Sequence, residues 1–248
     1  MQVVEGALEF DTDIILIDDG SDNSCGKVLQ SLSNRYELVS LIQMPENQGK
    51  GEAVKKGFLE AEKRSYSHAL QIDADGQHTI SDIQKFLDLG FENQRAVICG
   101  CPIYGDDIPK IRLYGRYLTH VWVYINTWSL KIKDSMCGFR LYPLAETCNL
   151  VRQETVGSRM DFDTEIIVRW VWRGGKVINV FTKVNYPLDG VSHFNALADN
   201  WRITKMHTRL FFGMLLRLPK ILHRKFRSQE GIDLSGRGTS SKRGNGDP

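Results

Sequence analysis

Between residues 13 and 100, short apolar runs alternate with amphipathic stretches. The runs DIILI (13–17), LVSLIQ (38–43), HALQI (68–72) and AVICG (96–100) are each closed by turn residues, the pattern of buried parallel strands. Segments 22–33, 49–62 and 80–90 between them space their apolar positions as helices do, so this half predicts an α/β rhythm. Beyond residue 100 the pattern predicts an aromatic helix over 110–129, a turn over 134–142 and a helix over 163–173. A strand over 176–183 and a helix over 196–225 follow, and residues 228–248, poor in apolar side chains, read as a disordered tail. The aromatic positions Trp122, Tyr124 and Trp128 are expected in the core.

In open α/β sheets ligands bind beyond the carboxyl ends of the strands, and here those positions are acidic. Asp18-Asp19-Gly20-Ser21 follows the first run and Asp73-Ala74-Asp75-Gly76-Gln77-His78 the third. Asp73 and Asp75, two apart, project to one side of an extended backbone, where one or two carboxylates plus substrate phosphates grip a divalent ion; Gln77 continues the spacing. Such hard oxygen donors favour Mg²⁺ or Mn²⁺ over zinc. Either motif alone reads equally well as a turn former; together they point to a site. Gly49 and Gly51 open a helix and would let Lys50 approach an anion, although an Asn47 cap with flexible glycines explains the segment slightly better. Arg112 and Arg116, four apart, share a helix face and with Arg140 form a candidate phosphate clamp; Arg112 alone reads as a solvated edge near Asp106 and Asp107. Asp134 opens the 134–142 turn, where a capping role competes with a chemical one.

With 248 residues, 42% of them hydrophobic and 25% charged, the chain can bury a core of one catalytic-size domain. Its longest charge-free run, Tyr117 to Leu130, is 14 residues, short of the roughly 20 that span a bilayer. No secretory signal is visible, and an odd set of cysteines (Cys25, Cys99, Cys101, Cys137, Cys148) suits a reducing cytoplasm. Eight Lys or Arg and no Asp or Glu lie between Asn200 and Gln229, so with a net charge of +2 the remainder sums to −6. Basicity this local argues against nucleic acid and for a C-terminal segment that meets an anionic surface. Within 201–226, Leu, Phe and Met alternate with cations as in helices lying in a bilayer interface.

As an ordered set, the motifs ILIDDGSDNS, NQGKGEAVKKGF, QIDADGQH, DSMCGFRLYP and MDFDTEIIVRWVWRGGKVINV resemble family 2 glycosyltransferases, and within them the branch typified by dolichyl-phosphate mannose synthase. The resemblance covers roughly residues 10–195. It implies the GT-A fold, a Rossmann-like three-layer α/β sandwich with a mostly parallel sheet, as the catalytic domain over 1–195. A basic amphipathic segment at the membrane (196–227) and the tail (228–248) complete the expected organisation. It also implies a nucleotide-sugar donor held by Asp18, Asp19, Lys50, Asp73 and Ala74, and Mg²⁺ or Mn²⁺ on Asp73, Asp75 and Gln77 bridging the diphosphate. Asp134 becomes the general base if the acceptor is an alcohol, with Arg140 beside it; Arg112, Arg116, Ser192 and His193 become acceptor or phosphate ligands. The implied reaction is inverting transfer to a lipid-linked or polyprenyl-phosphate acceptor at the cytoplasmic membrane face. Three departures stand out. The family's first, central strand is not visible before the helix that should follow it, so either Met1 is an internal or misassigned start or this is a shortened form whose sheet is compromised, with unpaired edges. The late loop carries Ser192-His193 where a Ser-Lys pair is usual, and no transmembrane helices follow. A non-catalytic membrane module and a metal-dependent nucleotidyltransferase are the rival expectations.

Overall fold

The computed structural model describes residues 1–104, 110–184 and 196–235, with side chains at 1–104, 114–184 and 198–225. Helix α1 (Gln2–Leu8) leads into strand β1 (Ile14–Asp18), helix α2 (Asn23–Arg35), β2 (Val39–Gln43), α3 (Lys50–Lys63) and β3 (His68–Gln71). A 3₁₀ turn (Ile80–Asp82), α4 (Ile83–Glu92), β4 (Ala96–Ile103) and α5 (Lys110–Thr127) follow. The chain continues through β5 (Arg140–Pro143), α6 (Leu144–Gln153), α7 (Phe162–Trp172), β6 (Lys176–Lys183) and α8 (Ala196–Ser235).

The layers follow from alternation along β4. Val97 and Cys99 point into a core built with Phe58 of α3, Ile166 and Ile167 of α7 and Met206 and Leu210 of α8. Ala96 and Ile98 point the other way, onto Phe86 of α4 and Phe139. Helices therefore cover both faces of the strand, which explains its continuous apolar run. This is the expected three-layer α/β sandwich. β1 and β2 pair in parallel, β4 and β6 pair in parallel from Ala96↔Lys176 to Ile103↔Lys183, and β5 runs antiparallel between β3 and β4.

The sheet is in two pieces, β1-β2 and β3-β5-β4-β6, with no pairing between β1 and β3. Ile14 to Ile17 of β1 stay part-exposed while Ala96 to Cys101 of β4 are buried, in keeping with the expected unpaired edge. The 134–142 turn differs from expectation in ending as a strand: RLYP is too short to carry a period, and pairing on both sides makes it β5. Helix α8 runs to Ser235, past the boundary at 228 that composition suggests.

The aromatic helix also departs from expectation. α5 buries Val123, Asn126 and Thr127, but Trp122 and Trp128 are exposed, as are Tyr117, Leu118 and Val121. The helix presents only one side to the core it packs on, and no described residue covers the apolar side chains on the other.

α5 and α8 meet at His207, whose ring stacks on Trp122 with centroids 6.0 Å apart and whose Nδ1 lies 3.4 Å from Asn126 Nδ2. Burial lowers its pKa to about 4, so the folded protein holds it neutral. The unfolded chain takes up that proton near pH 6.5, so the contribution is full above that pH and is lost as pH falls towards 4. Urea unfolding at pH 7 and pH 4.5 should show His207→Phe losing about 2 to 3 kcal/mol less than the parent over this interval.

Candidate active site

A charged group lies where β3, α3 and α7 converge. Lys50, the first residue of α3, places Nζ 2.7 Å from Asp73 Oδ2 and 2.7 Å from Asp163 Oδ2. Asp163, in the first turn of α7, accepts a further hydrogen bond from Gln71 Nε2 at 3.0 Å. Burial would lower the Lys50 pKa, but Asp163 and Asp73 outweigh it and hold the ammonium charged well beyond its usual range. Asp163 is 3% exposed, so this pairing is what makes its burial tolerable.

The position of Lys50 follows from the turn before it. Asp19 accepts from the amides of Gln48 (2.7 Å) and Gly49 (2.8 Å), and Gly49 adopts φ +102 at the helix start, a conformation that favours glycine. Asn47 is not the expected cap; its Oδ1 accepts from Arg159 Nη1 at 3.3 Å. At Gly51 a Cβ would lie 2.6 Å from the Gly157 carbonyl oxygen, so this glycine admits the backbone of the neighbouring turn. Asp18 is likewise engaged, accepting from Ser21 N (2.9 Å) and Gln43 Nε2 (3.4 Å). Asp18 and Asp19 thus stand at the end of β1 as expected, with carboxylates that organise the loops.

Asp73 is fixed from the opposite side by Gly138, where a Cβ would lie 2.3 to 2.5 Å from all three carboxylate atoms. Among the described residues Asp73 Oδ1 has no hydrogen-bond partner. Asp75 is exposed and its Oδ1 accepts only from Gln77 N at 3.0 Å; Ala74 is exposed between them. No group of three or more His, Cys, Asp or Glu is placed to enclose a metal among the described residues. Two hard oxygens with open coordination do suit Mg²⁺ or Mn²⁺ completed by substrate phosphates. His78 packs its ring 5.2 Å from that of Phe139, and burial lowers its pKa, so it is held neutral. Gly138→Ala should cut turnover by about a hundredfold while secondary structure persists, because the added methyl displaces Asp73. Steady-state kinetics with circular dichroism checks this.

Asp134 lies in a second charged group. Its Oδ1 accepts from the amides of Met136 (2.8 Å) and Cys137 (2.7 Å), and its Oδ2 meets Arg116 Nε at 2.6 Å and His120 Nε2 at 3.4 Å. Burial alone would raise its pKa, but the His120 imidazole and the Arg116 guanidinium hold it far below the carboxylate range. Asp134, 4% exposed, thus spends both carboxylate oxygens on partners within the fold. Among the described residues Arg116 Nη2 is buried and has no hydrogen-bond partner, a donor available to an anion.

Arg140 also departs from expectation. It is 0% exposed and donates from Nη1 to the Asp163 carbonyl at 2.5 Å, so it lies behind the site and positions α7. The Arg112 side chain, Ser192 and His193 lie outside the described residues. An open cleft of about 510 Å³ that includes Glu52, Lys55, Glu154 and Arg209 shares no residue with either charged group.

Asp163, Gln71, His120 and Gly138 complete the site without having been singled out in the sequence. A faint signal existed: MDFDTE starts an otherwise apolar helix with acids, a pattern that dipole compensation also explains.

The sequence model described as Glycosyl transferase family 2 matches residues 2–156. A dolichyl-phosphate beta-glucosyltransferase of Dictyostelium discoideum is 27% identical over 238 residues, 86% of this chain and 67% of that protein. The Homo sapiens protein of the same name is 29% identical over 171 residues, 64% of this chain and 51% of its own. The chain therefore spans from about half to two thirds of the length of these relatives. Glucosyl-3-phosphoglycerate synthase from Mycobacterium tuberculosis, solved with phosphoglyceric acid, shares the fold with a TM-score of 0.54 at 15% identity, covering 83% of this chain and 68% of that one. A structure of that enzyme in complex with Mn²⁺ and uridine-diphosphate-glucose gives 0.50 at 13% identity, covering 87% and 82%.

Proposed function

The chain belongs to glycosyltransferase family 2, and on that premise we propose that it moves a sugar from a UDP- or GDP-sugar to a polyprenyl phosphate. The observation that carries the choice of acceptor is the pairing of Asp134 with Arg116 and His120. An alcohol must lose a proton to attack, whereas a lipid phosphate arrives ionised and needs positioning and charge screening. The relatives named dolichyl-phosphate beta-glucosyltransferase support the same acceptor class, and glucose as the sugar.

In this reading the donor diphosphate lies over the end of β3. Asp73, Asp75 and Gln77 would hold Mg²⁺ or Mn²⁺, which would supply positive charge to the leaving diphosphate. Lys50 keeps Asp73 aligned and its own charge close to the developing anion. Arg116, anchored by Asp134, offers Nη2 to the acceptor phosphate, and Arg140 holds Asp163 in place from behind. The phosphate oxygen attacks the anomeric carbon as the bond to the diphosphate breaks, with inversion. The basic segment over 196–227 brings the enzyme to the cytoplasmic face of the membrane as a peripheral protein.

One observation favours a second reading, a non-catalytic membrane module: the break between β1 and β3 runs beside the donor region. Incubation of the full chain with radiolabelled UDP-glucose or GDP-mannose, Mn²⁺ and polyprenyl phosphate in detergent separates the alternatives. Label in the lipid extract with equimolar nucleoside diphosphate is the expected result. Pyrophosphate released in a parallel incubation with a nucleoside triphosphate and a sugar 1-phosphate would indicate a nucleotidyltransferase, and no turnover by a folded chain would favour the module.

A further inference from the structure

The two charged groups of the site are joined by the 134–140 segment. Asp134 opens it and pairs with Arg116 and His120, and Gly138 further along abuts the Asp73 carboxylate. Between them the backbone is tightly folded, because Asp134 Oδ1 accepts from the Met136 and Cys137 amides. The first turn of α7 holds this segment at both ends. Thr164 Oγ1 donates to the Ser135 carbonyl at 3.1 Å and lies 3.4 Å from Ser135 Oγ, and Arg140 Nη1 donates to the Asp163 carbonyl at 2.5 Å. Thr164 is 3% and Ser135 0% exposed, so water does not compete for their hydrogen bond.

Thr164 spends its hydroxyl differently from other helical threonines. Thr119, Thr127, Thr204 and Thr208 each donate to the carbonyl four residues back in their own helix. Thr164 instead reaches across 29 residues of sequence to the residue after Asp134. Its neighbour Asp163 grips Lys50, Lys50 grips Asp73, and Asp73 meets Gly138. The contacts close a ring from Lys50 through Asp163, Thr164, Ser135, Gly138 and Asp73 back to Lys50. The Thr164–Ser135 link in it rests on a neutral hydroxyl, which one substitution removes without deleting a charge.

We propose that Thr164 is a positioning residue that, through Ser135, sets the separation between Arg116 Nη2 and the carboxylate oxygens of Asp73 and Asp75. The inference rests on the transferase reading, in which Arg116 receives the acceptor phosphate and the two aspartates face the donor diphosphate. Reacting atoms that must approach to about 3 to 3.5 Å tolerate little drift between these anchors. Loss of the Thr164 hydroxyl frees the start of the 134–140 segment, and with it Asp134 and Arg116, whereas Lys50 keeps its hold on Asp73. The chemical step is then slowed more than donor binding is weakened.

The test compares the full chain with Thr164→Val, Thr164→Ser and Thr127→Val in sugar transfer to polyprenyl phosphate. Thr164→Val should lower kcat by about tenfold or more and leave the KM for the nucleotide sugar within about twofold. Thr164→Ser keeps a hydroxyl and should recover most of kcat. Thr127→Val removes a buried hydroxyl that bonds the Val123 and Ser129 carbonyls, and should lower the melting temperature with kcat unchanged. A second readout needs no turnover. With Mn²⁺, farnesyl phosphate and whichever of UDP and GDP the parent binds, paramagnetic relaxation of the acceptor phosphorus falls steeply with its distance from the metal, and should be weaker in Thr164→Val than in the parent. A parental kcat in Thr164→Val, a loss that Thr164→Ser does not recover, or unchanged phosphorus relaxation would overturn this inference and leave the transferase reading intact. A folded parent that transfers no sugar would remove both.

Discussion

Exchanging Lys50 for methionine should lower turnover by about a hundredfold or more and destabilise the fold by about 3 to 5 kcal/mol, the largest combined effect of any single change in the site. Asp73 and Asp163 each hold an oxygen 2.7 Å from the same ammonium, so the two lie no more than twice that distance apart. Without the cation between them, the two carboxylates repel each other and the buried Asp163 loses the partner that makes its burial tolerable. Asp73 then no longer offers a fixed anionic oxygen beside Asp75, and the donor diphosphate loses its positioning. Lys50→Arg should restore stability better than turnover, because charge returns but not the compact shape. In a double-mutant cycle, Lys50→Met with Asp163→Asn should cost less stability than the sum of the two changes.

The largest effect on stability without one on donor affinity is expected from Glu165→Ala. Glu165 is 0% exposed and accepts from Arg169 Nε (2.9 Å), Arg169 Nη2 (2.7 Å) and the amide of Gly157 (2.9 Å). It also pairs with Arg209, so one carboxylate ties α7 to the 157 turn and to α8. Removing it strands a nearly buried Arg169 on Glu154 alone, at about 3 to 5 kcal/mol. For a chain of this size that corresponds to a melting temperature lower by roughly 10 °C in scanning calorimetry. Glu165→Gln should lose less, since the amide oxygen still accepts from Gly157. At temperatures where the variant is folded, nucleotide affinity should match the parent.

The carboxylates around Lys50 show where sequence reading stops. Asp73 and Asp75 are legible because a strand ends just before them and their spacing sets them on one side. Asp163 is not, because its meaning depends on Lys50 and Gln71, brought to it only by the packing of α3 and β3 against α7. The turn Asp18-Asp19 is legible as the rim of a site, yet the use of Asp19 as an acceptor for the Gln48 and Gly49 amides belongs to tertiary structure. Arg140 reads as a substrate ligand from its place in GFR, but pairing of β5 on both edges turns it into the interior. The outward face of α5 was hidden for a different reason: periodicity identifies an apolar helix without saying which side of it the core takes.

The central claim is that this chain binds a nucleotide diphosphate through Asp73 and Asp75 at the end of β3. Isothermal titration of UDP and GDP into the full chain, with and without Mn²⁺ and beside Asp75→Asn, tests it most directly. One nucleotide should bind, its affinity should fall when Mn²⁺ is withdrawn, and Asp75→Asn should abolish the metal-dependent part. Absence of binding in a chain shown folded by circular dichroism, or binding that Asp75→Asn leaves untouched, would contradict the account.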